Sequence, residues 1–177
     1  MTTTTAARLD LATLNGMTRT DFVAALGATF EHSPWVADAA WAARPFAGVD
    51  ALHAAMLDVV RSAPQAKQLA FLCGHPELAG REAQESTMTA DSVNEQASAG
   101  LDALSRDEMT EMQRLNRAYR ERHGFPFVIA VRRHNKQQIF AEMRRRVAAD
   151  TAAEFTEALA QIGYITHMRV RALVQSA

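Results

Sequence analysis

The chain has 177 residues, a mass of 19.4 kDa and a formal net charge of −1, with 48% hydrophobic and 22% charged residues. That balance excludes wholesale disorder, and the near-neutral charge argues against a protein whose affinity rests on neutralising nucleic-acid phosphates. The only cysteine is Cys73, which excludes a disulfide framework and makes a reducing cytosol the expected compartment.

The start, Met1-Thr2-Thr3-Thr4-Thr5-Ala6, has neither the basic nor the apolar region of a signal peptide, and residues 1–8 read as a mobile tail. From Thr18 the pattern turns helical. Thr18 or Thr20 can cap a helix that places Phe22, Val23, Leu26 and Phe30 on one face. Ser33-Pro34 opens a second helix, with proline at the first position, where its missing N–H is not needed. That helix carries Trp35, Val36, Ala39 and Ala40 and stops at Arg44-Pro45. Asp50 is the expected cap of a third, with Leu52, Met56, Val59 and Val60 at core spacing, and Pro64 resets the chain before a buried turn, Leu69-Ala70-Phe71-Leu72.

Residues 74–90 are weakly periodic and form a connection longer than the roughly 12–15 residues usual inside a compact domain, which favours a functional loop. A short helix is expected to start at Asp91 or Ser92 and reach Leu101. Ser105-Arg106-Asp107-Glu108 opens a longer one that carries Met109, Met112, Leu115 and Tyr119 and ends at His123-Gly124. The run Phe125-Pro126-Phe127-Val128-Ile129-Ala130-Val131 is β-like, but with proline inside it and no second strand it reads as an extended apolar segment crossing the core. Asn135 caps a helix to Val147, and Asp150 or Thr151 caps a last one reaching about Val174. No apolar run approaches the ~18–20 residues needed to span a bilayer. The expectation is an all-α fold: one domain over residues 1–177, a helical bundle of about seven to nine helices, without a membrane segment.

Chemistry-bearing residues cluster in one stretch. His75 is followed by Pro76, which biases it toward an extended turn, and an imidazole titrates near neutral pH. Ser92 and Glu95 have the spacing of a helix capping box, which by itself explains both residues; Gln96 follows. Arg169 lies on an otherwise apolar helix with Leu159, Ile162, Ile165 and Leu173, where it must meet an anion or reach solvent. His32, His53, His123, His134 and His167 show no metal-ligand spacing, and no HExxH, CxxC or phosphate-loop motif occurs, so neither a metal nor a cofactor is expected. The arginines from Arg132-Arg133 to Arg144-Arg145-Arg146 read as a solvated helix face rather than a nucleic-acid surface.

Several short pieces, in order, resemble one family. They are Ser33-Pro34-Trp35-Val36-Ala37, Arg44-Pro45-Phe46, Gly74-His75-Pro76-Glu77-Leu78-Ala79, Ser92-x-x-Glu95-Gln96-x-x-Ala99-Gly100-Leu101, Asn116-x-x-Tyr119, Gly124-Phe125-Pro126-Phe127-Val128-Ile129 and Ile165-x-x-x-Arg169. Together they resemble the 2-oxo-4-hydroxy-4-carboxy-5-ureidoimidazoline (OHCU) decarboxylases. The resemblance implies an all-helical fold, a homodimer, and cofactor-independent decarboxylation to (S)-allantoin in urate degradation. It implies His75 and Glu95 as catalytic residues. Pro76, Ser92, Gln96, Arg169 and the main chain of Phe127, Val128 and Ile129 would hold the small-molecule substrate. Two alternatives stand beside it: a helical binding module without catalysis, and an enzyme of the same fold acting on another ureido or imidazolone acid.

Overall fold

The computed structural model describes residues 8–175, so the expected tail, apart from Arg8, and the last two residues lie outside the described residues. The all-helical reading is borne out: among the described residues eight α-helices have seven or more residues, and two are shorter. By its internal contacts the chain divides into two compact units, Met1–Ala63 with Thr166–Ala177, and Pro64–Ile165.

The first unit holds strand β1 (Leu9–Asp10) and helices α1 (Leu11–Gly16), α2 (Arg19–Leu26), α3 (Pro34–Ala40) and α4 (Val49–Arg61). Thr18 caps α2, its hydroxyl accepting from the Asp21 N–H at 3.2 Å, and Pro34 opens α3 as expected. Phe22, Leu26, Phe30, Val36, Leu52, Met56 and Val60 are all buried, which is the apolar spacing of these helices realised as a core. Asp50 is not a cap. Gly48 occupies that position, and Asp50 sits in the first turn, bonded to His167 (2.9 Å) and Arg171 (3.0 Å). Those two bonds, His167 first, hold its carboxyl below the usual range. Strand β2 (Val174–Gln175) pairs parallel with β1, Leu9 opposite Val174. A two-residue strand carries too little alternation to be read from sequence.

The second unit comprises α5 (Gln65–Cys73), α6 (Arg81–Gln84), α7 (Ala90–Ser98), α8 (Arg106–His123), α9 (Lys136–Val147) and the greater part of α10 (Thr151–Leu173), whose residues from Thr166 on belong to the first unit. Starts and stops follow local chemistry. Ser105 with Glu108 and Asn135 with Gln138 form reciprocal capping boxes, and the Asp150 carboxylate accepts from Ala152 and Ala153 at the mouth of α10. Gly124 ends α8 at φ +82°, a conformation that glycine adopts without steric cost. Leu69, expected in a buried turn, is 39% exposed, while Phe71 and Leu72 are buried.

Residues 125–130 form the expected extended apolar segment, every one of them buried. Arg146 holds it. Rather than lying on a solvated face, Arg146 is 1% exposed, and its Nη1 donates to the Val128 carbonyl at 2.9 Å. Its Nε donates to Glu154 at 2.8 Å, and its guanidinium lies 4.5 Å from the Phe127 ring centroid. The Tyr119 hydroxyl donates to the same Glu154 oxygen at 2.7 Å. A helix with three consecutive arginines reads as solvated because sequence does not show that one of them has a buried carboxylate eight residues on.

Burial, then the bond to Glu154, pushes the Tyr119 phenol above its ordinary value of 10.0. The folded state therefore keeps a proton that the unfolded chain loses above about pH 10. Stability from Tyr119 is complete below that pH and falls as pH rises beyond it. Urea denaturation from pH 9 to 11 should show this loss, and Tyr119→Phe should flatten it. Arg146→Ala leaves a buried carboxylate uncompensated and should cost about 3–5 kcal/mol in the same measurement.

Candidate active site

α7 is amphipathic in an unusual sense. Its inward face is polar: Ser92, Glu95 and Gln96 are 5%, 8% and 6% exposed, at positions i, i+3 and i+4, while Val93 faces solvent at 44%. The capping-box reading of Ser92 and Glu95 is overturned. The helix starts two residues earlier than Ser92, and its cap is Thr89, whose hydroxyl accepts from the Ser92 N–H at 3.3 Å. Ser92 and Glu95 are thus freed from terminal duty and project from the body of the helix into the protein. Burying three polar side chains on one stripe is costly unless partners are supplied.

His75 stands just past the C-terminus of α5, half-buried. Its Nδ1 lies 3.0 Å from the Phe71 carbonyl, and its ring meets the Phe71 ring edge-on at 4.9 Å. A carbonyl can only accept, so Nδ1 carries the proton and Nε2 is the basic nitrogen of the neutral ring, an orientation suited to proton transfer. Pro76 follows, half-buried, and the chain then turns through Glu77, Leu78 and Ala79.

Side chains of α7 and α8 tie this turn down. The Gln96 Oε1 accepts from the Ala79 N–H at 2.8 Å, and Asn116 Nδ2 donates to the Leu78 carbonyl at 2.9 Å. Arg120 pairs with Glu77 at 2.7 Å, and the Cys73 thiol lies 3.5 Å from the Gly124 carbonyl. Gln96 Nε2 donates to the Met88 sulfur at 3.3 Å, a weak acceptor. α7 also packs against the turn Val131–Arg133, directly after the extended segment. The second unit thus brings the His75 loop, the polar face of α7 and the 125–133 stretch into one neighbourhood. In that stretch the main-chain polar groups of Phe127 and Ile129 have no hydrogen-bond partner among the described residues, although both residues are buried.

Arg169 belongs to the first unit. It is 7% exposed, and its Nη1 donates to Glu31 at 2.9 Å and to the Thr29 carbonyl at 3.3 Å. The snorkelling alternative is thereby removed. Glu31, 2% exposed and at φ +50°, is a residue the sequence reading missed; only its place in an apolar stretch before Ser33-Pro34 could have marked it. Leu173, expected on the same apolar face, is 38% exposed. Among the described residues no group of three or more histidine, cysteine or acidic side chains is placed to hold a metal.

Fold and site together define an all-helical protein with a buried acid, amide and hydroxyl on α7, which holds the turn after an oriented imidazole. Comparison with known proteins gives the class a family. The OHCU decarboxylase family model matches residues 15–171. The OHCU decarboxylase of Haloferax volcanii is 46% identical over 162 residues, 92% of this chain and 94% of that protein. The mouse protein of the same name is 37% identical over 166 residues, covering 94% and 93%. A crystal structure of (S)-allantoin synthase superposes with a TM-score of 0.73 at 28% identity; the match covers 94% of this chain and 54% of that one. The chain belongs to the OHCU decarboxylase family.

The cap assignment is open to direct test. Thr89→Ala should destabilise the protein by about 1 kcal/mol in urea denaturation, the usual cost of losing an N-cap.

Proposed function

We propose that this protein decarboxylates 2-oxo-4-hydroxy-4-carboxy-5-ureidoimidazoline to (S)-allantoin without a cofactor, as a homodimer in the cytoplasm. The observation that carries the reading is the buried polar face of α7, Ser92-x-x-Glu95-Gln96, beside the His75 turn.

The substrate's own structure explains why these groups suffice. Carbon 4 bears both a carboxylate and a hydroxyl, next to a ring C=N at carbon 5. When the C4–CO2 bond breaks, its electron pair moves into that C=N and the nitrogen takes a proton. The resulting enol loses its hydroxyl proton, and carbon 5 gains one, restoring a carbonyl. The protein must orient the molecule, stabilise the developing charge and deliver the carbon-bound proton to one face.

His75, with Nε2 as its basic nitrogen, acts as general acid and base at the hydroxyl. Glu95 polarises the same centre, and its negative charge disfavours a bound carboxylate and so eases its departure. Ser92 and Gln96 hold the ureido and ring amides. A substrate carbonyl is a better acceptor than the Met88 sulfur and would take over the Gln96 Nε2 donor. The N–H and C=O groups of Phe127 and Ile129, without a hydrogen bond among the described residues, offer amide-like contacts in a buried setting, where each unmade bond is costly. Pro76 shapes the turn. For Arg169 the family resemblance supplies the role, a forked contact to substrate oxygens that lysine reproduces poorly.

The test uses substrate made fresh from urate with uricase and hydroxyisourate hydrolase, in the presence of EDTA, followed by circular dichroism. Accelerated loss of the intermediate and a lasting (S)-allantoin signal are expected. Decay at the spontaneous rate to an optically inactive product would overturn the reading. His75→Asn should abolish turnover, by about 10²-fold or more, while leaving the far-ultraviolet spectrum unchanged. Arg169→Lys should raise KM.

A further inference from the structure

Asn116 lies on α8 and has no assigned part in the chemistry. It is 4% exposed. Its Nδ2 donates to the Leu78 carbonyl at 2.9 Å, and the N–H of the next residue, Ala79, donates to Gln96 Oε1 at 2.8 Å. These two groups belong to a single peptide unit. One peptide bond of the His75 turn is therefore gripped at both ends, its carbonyl by α8 and its N–H by α7.

Two further facts set this apart from routine satisfaction of buried polar groups. Ala79 stands at φ +46°, a left-handed conformation that strains an alanine and that glycine adopts without steric cost. The bond that closes the turn, from the Gly80 N–H to the Glu77 carbonyl at 3.1 Å, and the clamp together hold it there. The Asn116 Oδ1 is buried with no hydrogen-bond partner among the described residues. The amide cannot be turned to relieve this, because the Leu78 carbonyl requires the donor end. Asn116 thus leaves one buried acceptor unsatisfied, an arrangement that stability alone does not favour. The unsatisfied acceptor indicates a constraint imposed on the turn from outside it, added to the bond with which the turn closes itself.

Three residues before the gripped peptide stands His75, and on the gripping helix α7 stands Glu95. We infer that Asn116 is a positioning residue. With Gln96 it locks the Leu78–Ala79 peptide and so fixes the His75 turn against the Glu95-bearing helix. The inference rests on the proposed roles of His75 and Glu95.

Asn116→Ala removes the carbonyl grip, and Ala79→Gly relieves the need for it, since glycine adopts the left-handed conformation unaided. In the decarboxylation assay Asn116→Ala should lower kcat about tenfold with KM changed less than twofold. Adding Ala79→Gly should restore a large part of the lost kcat. A purely structural asparagine predicts the opposite: a lower Tm with kcat of the folded fraction unchanged, or a kcat loss that glycine does not repair. Either result overturns the inference. Amide hydrogen exchange at residue 79 reads the clamp without any turnover, and exchange in Asn116→Ala should quicken tenfold or more. Unchanged exchange would sink the clamp even if activity fell. An inactive wild-type protein with the expected exchange would instead bring down the proposed function, and the catalytic meaning of the clamp with it.

Discussion

A guanidinium sealed inside the protein determines much of the second unit. Arg146 is almost wholly buried, and its charge is balanced by Glu154, which also receives the Tyr119 hydroxyl. Removing a charge from water costs several kcal/mol, and a single carboxylate rarely offsets it. Its Nη1 bonds the Val128 carbonyl and its plane lies over the Phe127 ring, groups in a segment that pairs with no strand among the described residues, while Nη2 makes no hydrogen bond there. An extended stretch with no sheet partner is ordinarily a loop at the surface. Here it runs through the interior because three helices lend side chains to it: α9 through Arg146, α8 through Tyr119, and α10 through Glu154 and Gln161, whose Oε1 accepts from the Ala130 N–H at 2.9 Å. The pair fixes the position of the segment, and the main-chain groups of Phe127 and Ile129, on either side of Val128, make no hydrogen bond among the described residues.

The same logic governs α7. A folding helix turns its apolar residues inward, but this one turns inward a hydroxyl, a carboxylate and an amide. The cap on Thr89 makes this possible, because the helix end is satisfied without Ser92. The neighbouring turn completes the arrangement: the Phe71 carbonyl orients the imidazole, and the Gln96 and Asn116 amides fix the turn that follows.

Helix existence and most boundaries were legible in the sequence, because caps and stops are local: Thr18, Ser105 with Glu108, Asn135 with Gln138, Asp150 and Gly124 all act within a few residues of the helix they delimit. The extended character of residues 125–130 was legible from Pro126 inside an apolar run. Where two local readings compete, the sequence misleads. Ser92 and Glu95 have capping-box spacing, yet Thr89, three residues upstream, takes the cap; Asp50 looks like a cap but Gly48 precedes it. Partners distant in sequence were invisible. Glu31 and Arg169 stand 138 positions apart, and nothing around either names the other. Arg146 was misread for the same reason. Of the site, His75, Ser92, Glu95 and Gln96 were singled out as residue types, but the clamp through Asn116 is a property of three-dimensional arrangement alone.

The two short strands have a meaning beyond their size. Leu9 faces Val174, so a pairing of two residues on each side closes nearly the whole described chain into a ring. Loop-closure entropy grows with the length enclosed, and this contact encloses almost everything. It therefore has little reason to form before the helices between its ends are in place, and it returns the bonds of a two-residue ladder together with the burial of Val174 when it does. In folding such a contact comes late; in the native protein it is among the first to open. The strand pair is a late fastening of the first unit, anchored there by the buried Val174.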